Sequence, residues 1–477
     1  LVKKNKKSMV HFTGVYTDLY ELTMAQVYFY EGIHQKKSTF DYFFRSLPYE
    51  GGFAIFCGLE DLLDILENLR FTTKELDYLS SLGFKKEFLK YLESFQFTGN
   101  IYSCKEGEIV FPIEPILYVE GNLIEAQIIE TLLLNILNFE TLIATKAARI
   151  KLVAPDKILA DFGLRRAQGP GGYYATRAIM VGGFHFTSNV ASAMDFNIHP
   201  TGTMAHSFIQ CYDDELTAFR VYAKYNPDNC VLLIDTYDTL NSGLPNAIIV
   251  AKELEQKGHR LKAIRIDSGD LAYLSKECRK RLDEENLHYV KIIVSNQLDE
   301  YVVKSLLEQG APIDIFGVGT KLIVGKPDAA LDGVYKLSEF DEEYRIKVSN
   351  SLQKTTIPGK KQVYRLEDKL ERWIGDVISL REEKDDNLKE MHHPFDPLKK
   401  MEIESYKKIP LLEKVMEKGK RLYKKKSLDE IAQYSQKRLE QLPEEYKRFI
   451  NPHIYKIGLS SKLYNLRENL IKKYKKN

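Results

Sequence analysis

ILADFG at residues 158–163, VGGFHFTSN at 181–189, HPTGTMAHS at 199–207, VLLIDTYDT at 231–239, KAIRIDSGD at 262–270, KIIVSNQLD at 291–299 and DIFGVGT at 314–320 share one pattern. Each is a short apolar run that closes on polar residues, with helical periodicity after it. A near-continuous apolar run marks a strand buried on both faces, as in a parallel sheet covered by helices. In a parallel α/β barrel, the carboxyl ends of the strands carry the chemistry. The expectation is an irregular, TIM-like α/β barrel over residues 123–332. Asp235, Asp267, Asn296 and Thr320 then converge on one face.

Outward from that block the pattern changes on both sides. Residues 9–122 read as an N-terminal mixed α/β domain. Val15–Tyr30 reads as a helix with an Asp18–Glu21 capping box, and Ser38–Arg45 as a strand. Pro112 and Pro115 are expected to keep residues 108–120 out of a central sheet position. Leu123–Leu137 and Thr141–Val153 read as two helices. Residues 333–477 read as a C-terminal extension of short antiparallel strands and helices that packs on the N-terminal domain. Within it, residues 382–426 are rich in Lys and Glu and read as solvated surface. The lysine-rich tail from Lys462 is expected to fray.

Bulk properties exclude several classes. A chain of 477 residues, 44% hydrophobic and 29% charged, is an ordinary globular protein too long for one core. A net charge of +2 is too balanced for nucleic acid to be the main partner. The 5 cysteines are scattered, without a C-x-x-C pair, so neither a disulfide framework nor a zinc knuckle is indicated. This suits a reducing compartment, and a cytoplasmic location is expected. The start, LVKKNKKSMV, lacks the apolar core of a signal peptide, and Met9 offers a natural start. No run of about 18 apolar residues appears, so no membrane span is expected.

Residues 160–208 concentrate the chemistry. Arg165 and Arg166 stand past a strand end, before the glycine-rich QGPGG. Arginine offers a planar fork of donors for carboxylate or phosphate, although surface ion pairs are its commoner fate. His206 follows Thr201-Gly202-Thr203. A carboxylate from another strand end can hold one of its ring nitrogens and leave the other as nucleophile or base. His185 and His199 read as structural, and no metal-ligand spacing is present. Arg265 and Asp267 alternate on one strand, so both can face a pocket. Asp270 or Ser268 suits a helix cap. Gly317-Val318-Gly319-Thr320 lets backbone N–H groups approach a phosphate, but it is not a P-loop.

YTDLYELTMA, FGLRRAQGPGG, GGFHFTSN, GTMAHSF, IDTYDT, IRIDSGD, VSNQLDE and FGVGTKL occur in this order between Tyr16 and about Pro327. Together they resemble the nicotinate phosphoribosyltransferase family. That resemblance implies a type II phosphoribosyltransferase fold, an irregular α/β barrel plus an α/β domain. It implies synthesis of nicotinate mononucleotide and pyrophosphate from nicotinate and phosphoribosyl pyrophosphate, in NAD biosynthesis. It also implies coupling to ATP hydrolysis through a phosphohistidine, Mg²⁺ accompanying phosphoribosyl pyrophosphate and ATP, and a homodimer with shared sites.

By the same resemblance His206 is the phosphorylated residue, and Phe162 and Tyr20 sandwich the pyridine ring, Tyr20 from the partner subunit. Arg165, and less directly Arg166, lie near the ring and pyrophosphate. Arg265 and Asp267 contact phosphate and ribose, with Asp235 near ribose, metal or phosphohistidine. Ser295, Asn296, Gly319 and Thr320 cradle the 5′-phosphate, and Thr203 is a further substrate contact. Ser188 stands about where nicotinamide-using relatives carry an aspartate, which would repel a carboxylate. The alternatives are a nicotinamide or other pyridine acceptor, and a non-catalytic ligand-binding homologue.

Overall fold

The computed structural model describes residues 12–351 and 354–475. The basic N-terminal stretch and Met9 lie outside the described residues. The chain forms two compact units. One is Lys146–Ala329; the other runs up to Thr145 and resumes at Ala330.

The first unit is built on a parallel six-stranded sheet. Its strands are β1 (Ile158–Asp161), β2 (Phe186–Thr187), β3 (Val231–Leu233), β4 (Ala263–Ile266), β5 (Lys291–Ser295) and β6 (Ile315–Val318). They lie in the order β2-β1-β6-β5-β4-β3, with every neighbouring pair parallel. This is the cyclic order of a barrel cut between β2 and β3. Among the described residues no strand closes the cut, so the expected closed TIM-like barrel is not formed.

The segment HPTGTMAHS explains the opening. It was expected to be a strand, but Pro200 lacks an N–H and can donate to no ladder. It makes one isolated bridge, Thr187 to Pro200, and then turns into the short helix His206–Gln210. The other runs are strands because both of their faces are apolar and covered. Ile264, Ile266, Ile292, Val294, Phe316 and Val318 are buried on one face, and Ala263 and Ile293 on the other. Helices Gly171–Val181, Leu244–Gln256, Leu271–Glu284 and Glu300–Glu308 follow the strands. Asp270 caps the third of these, accepting from the Ala272 and Tyr273 N–H groups. Glu300 is buried and held by Lys146 at 2.5 Å and Arg149 at 2.8 Å.

The second unit contains a seven-stranded and a six-stranded sheet, besides a two-stranded ribbon. Leu117–Asn122 lies at the centre of the seven-stranded sheet, between Lys37–Phe44 and Asn100–Ser103. The prolines therefore do not exclude this segment from a central position. Pro112 and Pro115 fall in the loop before it and leave its N–H groups free to pair. Gly333–Phe340 and Glu413–Glu417 extend the same sheet.

In the six-stranded sheet Trp373–Leu380 pairs with Ile457–Ser460 in parallel, so the C-terminal strands are not all antiparallel. Residues 382–426 are not merely solvated. Ile403, Leu411, Leu412, Val415 and Met416 are buried, in or directly beside short strands that also carry Lys and Glu. The tail forms the helix Ser461–Lys475.

Two helical expectations also change. Helix Leu19–Tyr30 has no side-chain cap at Asp18. Glu21 instead accepts from the backbone N–H and hydroxyl of Thr131, at 3.0 and 2.6 Å, and Asp18 also takes the Thr131 hydroxyl. The apolar stretch 123–153 breaks at Ile129 and then runs unbroken as Glu130–Val153. It is long and apolar enough to cross a membrane, contrary to the expectation from composition. Yet 72% of its most apolar window is buried within the protein, as for a core helix.

Candidate active site

Every strand of the parallel sheet places a candidate residue at or just past its carboxyl end, Ser188 directly following β2. Parallel register makes these ends neighbours. Ser295 pairs with Gly317, Leu233 with Arg265, and Asp161 with both Val318 and Thr187.

Arg265 is the hub. Its Nε donates to Ser295 Oγ at 3.0 Å, and Nη1 donates to Thr203 Oγ1 at 3.0 Å and to the Met204 carbonyl at 3.4 Å. Its Nη2 lies 3.2 Å from Asp267 Oδ1. The Ser295 hydroxyl also donates to Asp267 Oδ1. The guanidinium sits over the Phe162 ring, 5.5 Å from its centroid. Four sequence-predicted residues from three segments (Thr203, Arg265 with Asp267, and Ser295) are thus joined, with Phe162 against Arg265.

His206 stands at the first position of its helix, not at a strand end as expected. Its Nδ1 is 3.1 Å from Thr236 Oγ1, and its Nε2 is 3.9 Å from Asp267 Oδ2. Asp267 therefore faces both the arginine and the histidine. Asp235 accepts the Asp267 backbone N–H at 3.1 Å and the Ser268 hydroxyl at 2.5 Å through Oδ2. Its Oδ1 is buried with no hydrogen-bond partner among the described residues. A buried, unpartnered carboxylate oxygen fits a hard divalent cation, which takes oxygen ligands.

Asn296 and Gln297 follow β5 with φ of 97° and 48°. Such backbone is costly for residues other than glycine and is typical of ligand sites. Gly317 lets Phe162 pack close, since a Cβ there would lie 2.4 Å from the ring. Gly319 and Thr320 open the short helix Thr320–Ile323. Ser188 is half-buried, its N–H bound to the Asp161 carbonyl at 2.8 Å.

Arg165 and Arg166 lie exposed in the turn Leu164–Arg166 and do not join the Arg265 cluster. Tyr20 belongs to the other unit and is 46% exposed. His185 is structural, its Nδ1 accepting the Leu159 N–H at 3.1 Å, and burial pushes its pKa down.

Two contributors were missed from sequence. Thr236 was hidden among the acids of IDTYDT, where only its polar position past the apolar run pointed to it. Asp161 stands in the sequence as the end of an apolar strand. In the structure it is buried at the heart of the β1 turn, and burial raises its pKa. An acid closing an apolar run before Phe-Gly was the available signal.

Similarity to known proteins agrees with this layout. Residues 15–138 match the nicotinate phosphoribosyltransferase N-terminal domain, residues 158–379 the nicotinate phosphoribosyltransferase family, and residues 360–467 its C-terminal domain. Nicotinate phosphoribosyltransferase of Bacillus subtilis is 46% identical over 458 residues, covering 94% of this chain and 93% of the relative. That of Caenorhabditis elegans is 35% identical, covering 95% and 92%. The crystal structure of human nicotinic acid phosphoribosyltransferase superposes with a TM-score of 0.86 at 29% identity, covering 95% of this chain and 99% of that one.

Proposed function

Since the chain belongs to the nicotinate phosphoribosyltransferase family, we propose that it joins nicotinate to phosphoribosyl pyrophosphate, with ATP hydrolysis coupled through a phosphate on His206. The observation that carries this reading is the chain of contacts from Arg265 through Asp267 to His206. One carboxylate there touches the arginine suited to the phosphoribosyl group and faces the nucleophile suited to ATP.

In this reading the pyridine ring stacks on Phe162, offset stacking being favourable for flat aromatics. Ser188 tolerates the nicotinate carboxylate, and Arg165 or Arg166 offsets its charge. Arg265 holds the phosphoribosyl phosphates with a planar fork of donors. Ser295, Asn296, Gly319 and Thr320 hold the 5′-phosphate, and Thr203 orients Arg265. Mg²⁺, held near Asp235, would supply charge neutralisation for the pyrophosphate.

The bond from ribose C1 to pyrophosphate breaks and the bond to the pyridine nitrogen forms. The nitrogen is already nucleophilic and needs no base. Asp267 and Asp235 offset the positive charge that develops on the ribose ring, and positioning provides much of the acceleration.

A proton held on Nε2, on the Asp267 side, leaves the Nδ1 lone pair of His206 as nucleophile. Nδ1 then takes the γ-phosphoryl group of ATP, releasing ADP, and Thr236 gives up its hydrogen bond. Hydrolysis of the N–P bond later drives the reaction forward. A homodimer supplies the second ring-stacking face as Tyr20 of the other subunit, which suits the exposure of that tyrosine. The five free cysteines suit a reducing, cytoplasmic setting.

Labelling with ATP carrying a radioactive γ-phosphate tests the histidine. Wild-type protein is expected to take up acid-labile label and His206→Ala to take up none. Equal label in the variant would refute the assignment.

A further inference from the structure

Asp161 is fully buried at the last position of β1. Its Oδ1 accepts the Gly163 N–H at 2.8 Å. Its Oδ2 accepts the hydroxyls of Thr176 at 2.9 Å and Thr187 at 2.8 Å. These donors are all neutral. Burying a carboxylate is expensive unless its oxygens are hydrogen-bonded, so these three donors are what hold it here.

The hydrogen-bond directions show what the carboxylate does. The Asn189 N–H donates to Thr187 Oγ1 at 3.0 Å, which leaves the Thr187 proton for Asp161. The Asn189 side-chain amide donates to Thr176 Oγ1 at 3.2 Å. The Thr176 hydroxyl also lies 3.0 Å from the Gly172 carbonyl, so Thr187 is the committed donor of the two. The Asp161 backbone carbonyl accepts the Ser188 N–H at 2.8 Å. One residue thus fixes the turn that carries Phe162 and the strand end that carries Ser188. Phe162 has little freedom to shift, since its ring lies directly against Gly317.

We propose that Asp161 is a positioning residue for the acceptor side of the site, setting nicotinate affinity through Phe162 and Ser188 without touching the substrate. This rests on the reading that those two residues face the pyridine ring. Removing an acceptor from Asp161 leaves the Gly163 N–H or the Thr187 hydroxyl unpaired in a buried place. The turn then relaxes, and the ring-stacking face relaxes with it. Arg265 keeps its hydrogen bonds to Ser295 and Thr203 and its contact with Asp267.

The test uses the full chain in four forms: wild type, Asp161→Asn, Thr187→Val and Thr187→Ser. Nicotinate mononucleotide formation is measured while nicotinate and phosphoribosyl pyrophosphate are varied separately. Asp161→Asn and Thr187→Val are expected to raise the nicotinate KM about tenfold, in keeping with a buried polar group left unpaired. The phosphoribosyl pyrophosphate KM is expected to stay within about twofold, because the hydrogen-bond partners of Arg265 are untouched. Thr187→Ser, which keeps the hydroxyl and loses a methyl group, is expected to recover most of the affinity lost in Thr187→Val.

If Asp161→Asn does not fold, the Thr187 pair decides. An unchanged nicotinate KM in Thr187→Val overturns the proposal, as does equal loss in the Ser and Val variants. No product from wild type removes the functional reading itself, and this inference with it.

Discussion

Arg265 and Asp267 stand two positions apart at the end of one strand, and their side chains meet at 3.2 Å. Alternate positions on a strand share a face, so the sequence IRID delivers a cation and an anion to one pocket. The same carboxylate takes the Ser295 hydroxyl and faces His206. In the proposed function, one side chain therefore joins substrate binding to energy coupling.

Arg265→Lys keeps the charge but not the fork. It cannot reach Ser295, Thr203 and Asp267 together, and the conservative change is expected to act as a severe one. kcat/KM for phosphoribosyl pyrophosphate is expected to fall on the order of a hundredfold, with nicotinate KM changed much less. Steady-state kinetics with each substrate varied checks this. A uniform small loss for both would contradict the role given to Arg265.

Gly317→Ala places a methyl group where the Phe162 ring now lies, 2.4 Å away. The ring must move, so nicotinate affinity is expected to drop about tenfold or more, in line with overpacking of a tight contact. Titration of nicotinate against the purified variant would show it.

Asn296→Gly relieves a left-handed backbone at φ 97°. It is expected to hold or raise thermal stability, by up to about 1 kcal/mol. It should also weaken phosphoribosyl pyrophosphate binding, because the side chain and the fixed loop geometry are both lost. Thermal unfolding and kinetics on one preparation separate the two effects. Lower stability with intact affinity would show that the strain has no part in binding.

Glu21 gives a pH dependence of known sign. Burial is the main cause that pushes its carboxyl up to about 7, against hydrogen bonds from Thr131 and Thr17 that lower it. The unfolded chain ionises at the ordinary value of 4.5, before the folded one does. Between those values the folded state holds the extra proton, so stability falls as pH rises. Glu21→Gln removes this loss. Its melting temperature is expected to gain on that of wild type from about pH 5 to about pH 8. A constant difference across that range would exclude Glu21 as the source.

The sequence displayed the parallel strands because both their faces are buried, and KIIVS or KAIRI admits little else. It displayed the strand-end residues for the same reason, since polarity begins where burial stops. It did not display the open edge between β2 and β3, because HPTGTMAHS resembles a strand until Pro200 is asked to donate. The separate hydrogen bonds of Arg265 to Thr203 and Ser295 span residues 62 and 30 positions apart, a distance no local pattern encodes. Residues 382–426 hide their buried part, because the apolar pairs Leu411–Leu412 and Val415–Met416 sit within runs of Lys and Glu that dominate the composition. The Arg165–Arg166 pair was prominent in sequence yet stands apart from the Arg265 cluster.

The most direct measurement is product formation by the purified full chain from nicotinate and phosphoribosyl pyrophosphate, with and without ATP. Nicotinate mononucleotide and pyrophosphate in equal amounts, formed faster and further with ATP and with release of ADP, is the predicted result. Product from nicotinamide but not from nicotinate, or a yield indifferent to ATP and to His206→Ala, would contradict the account.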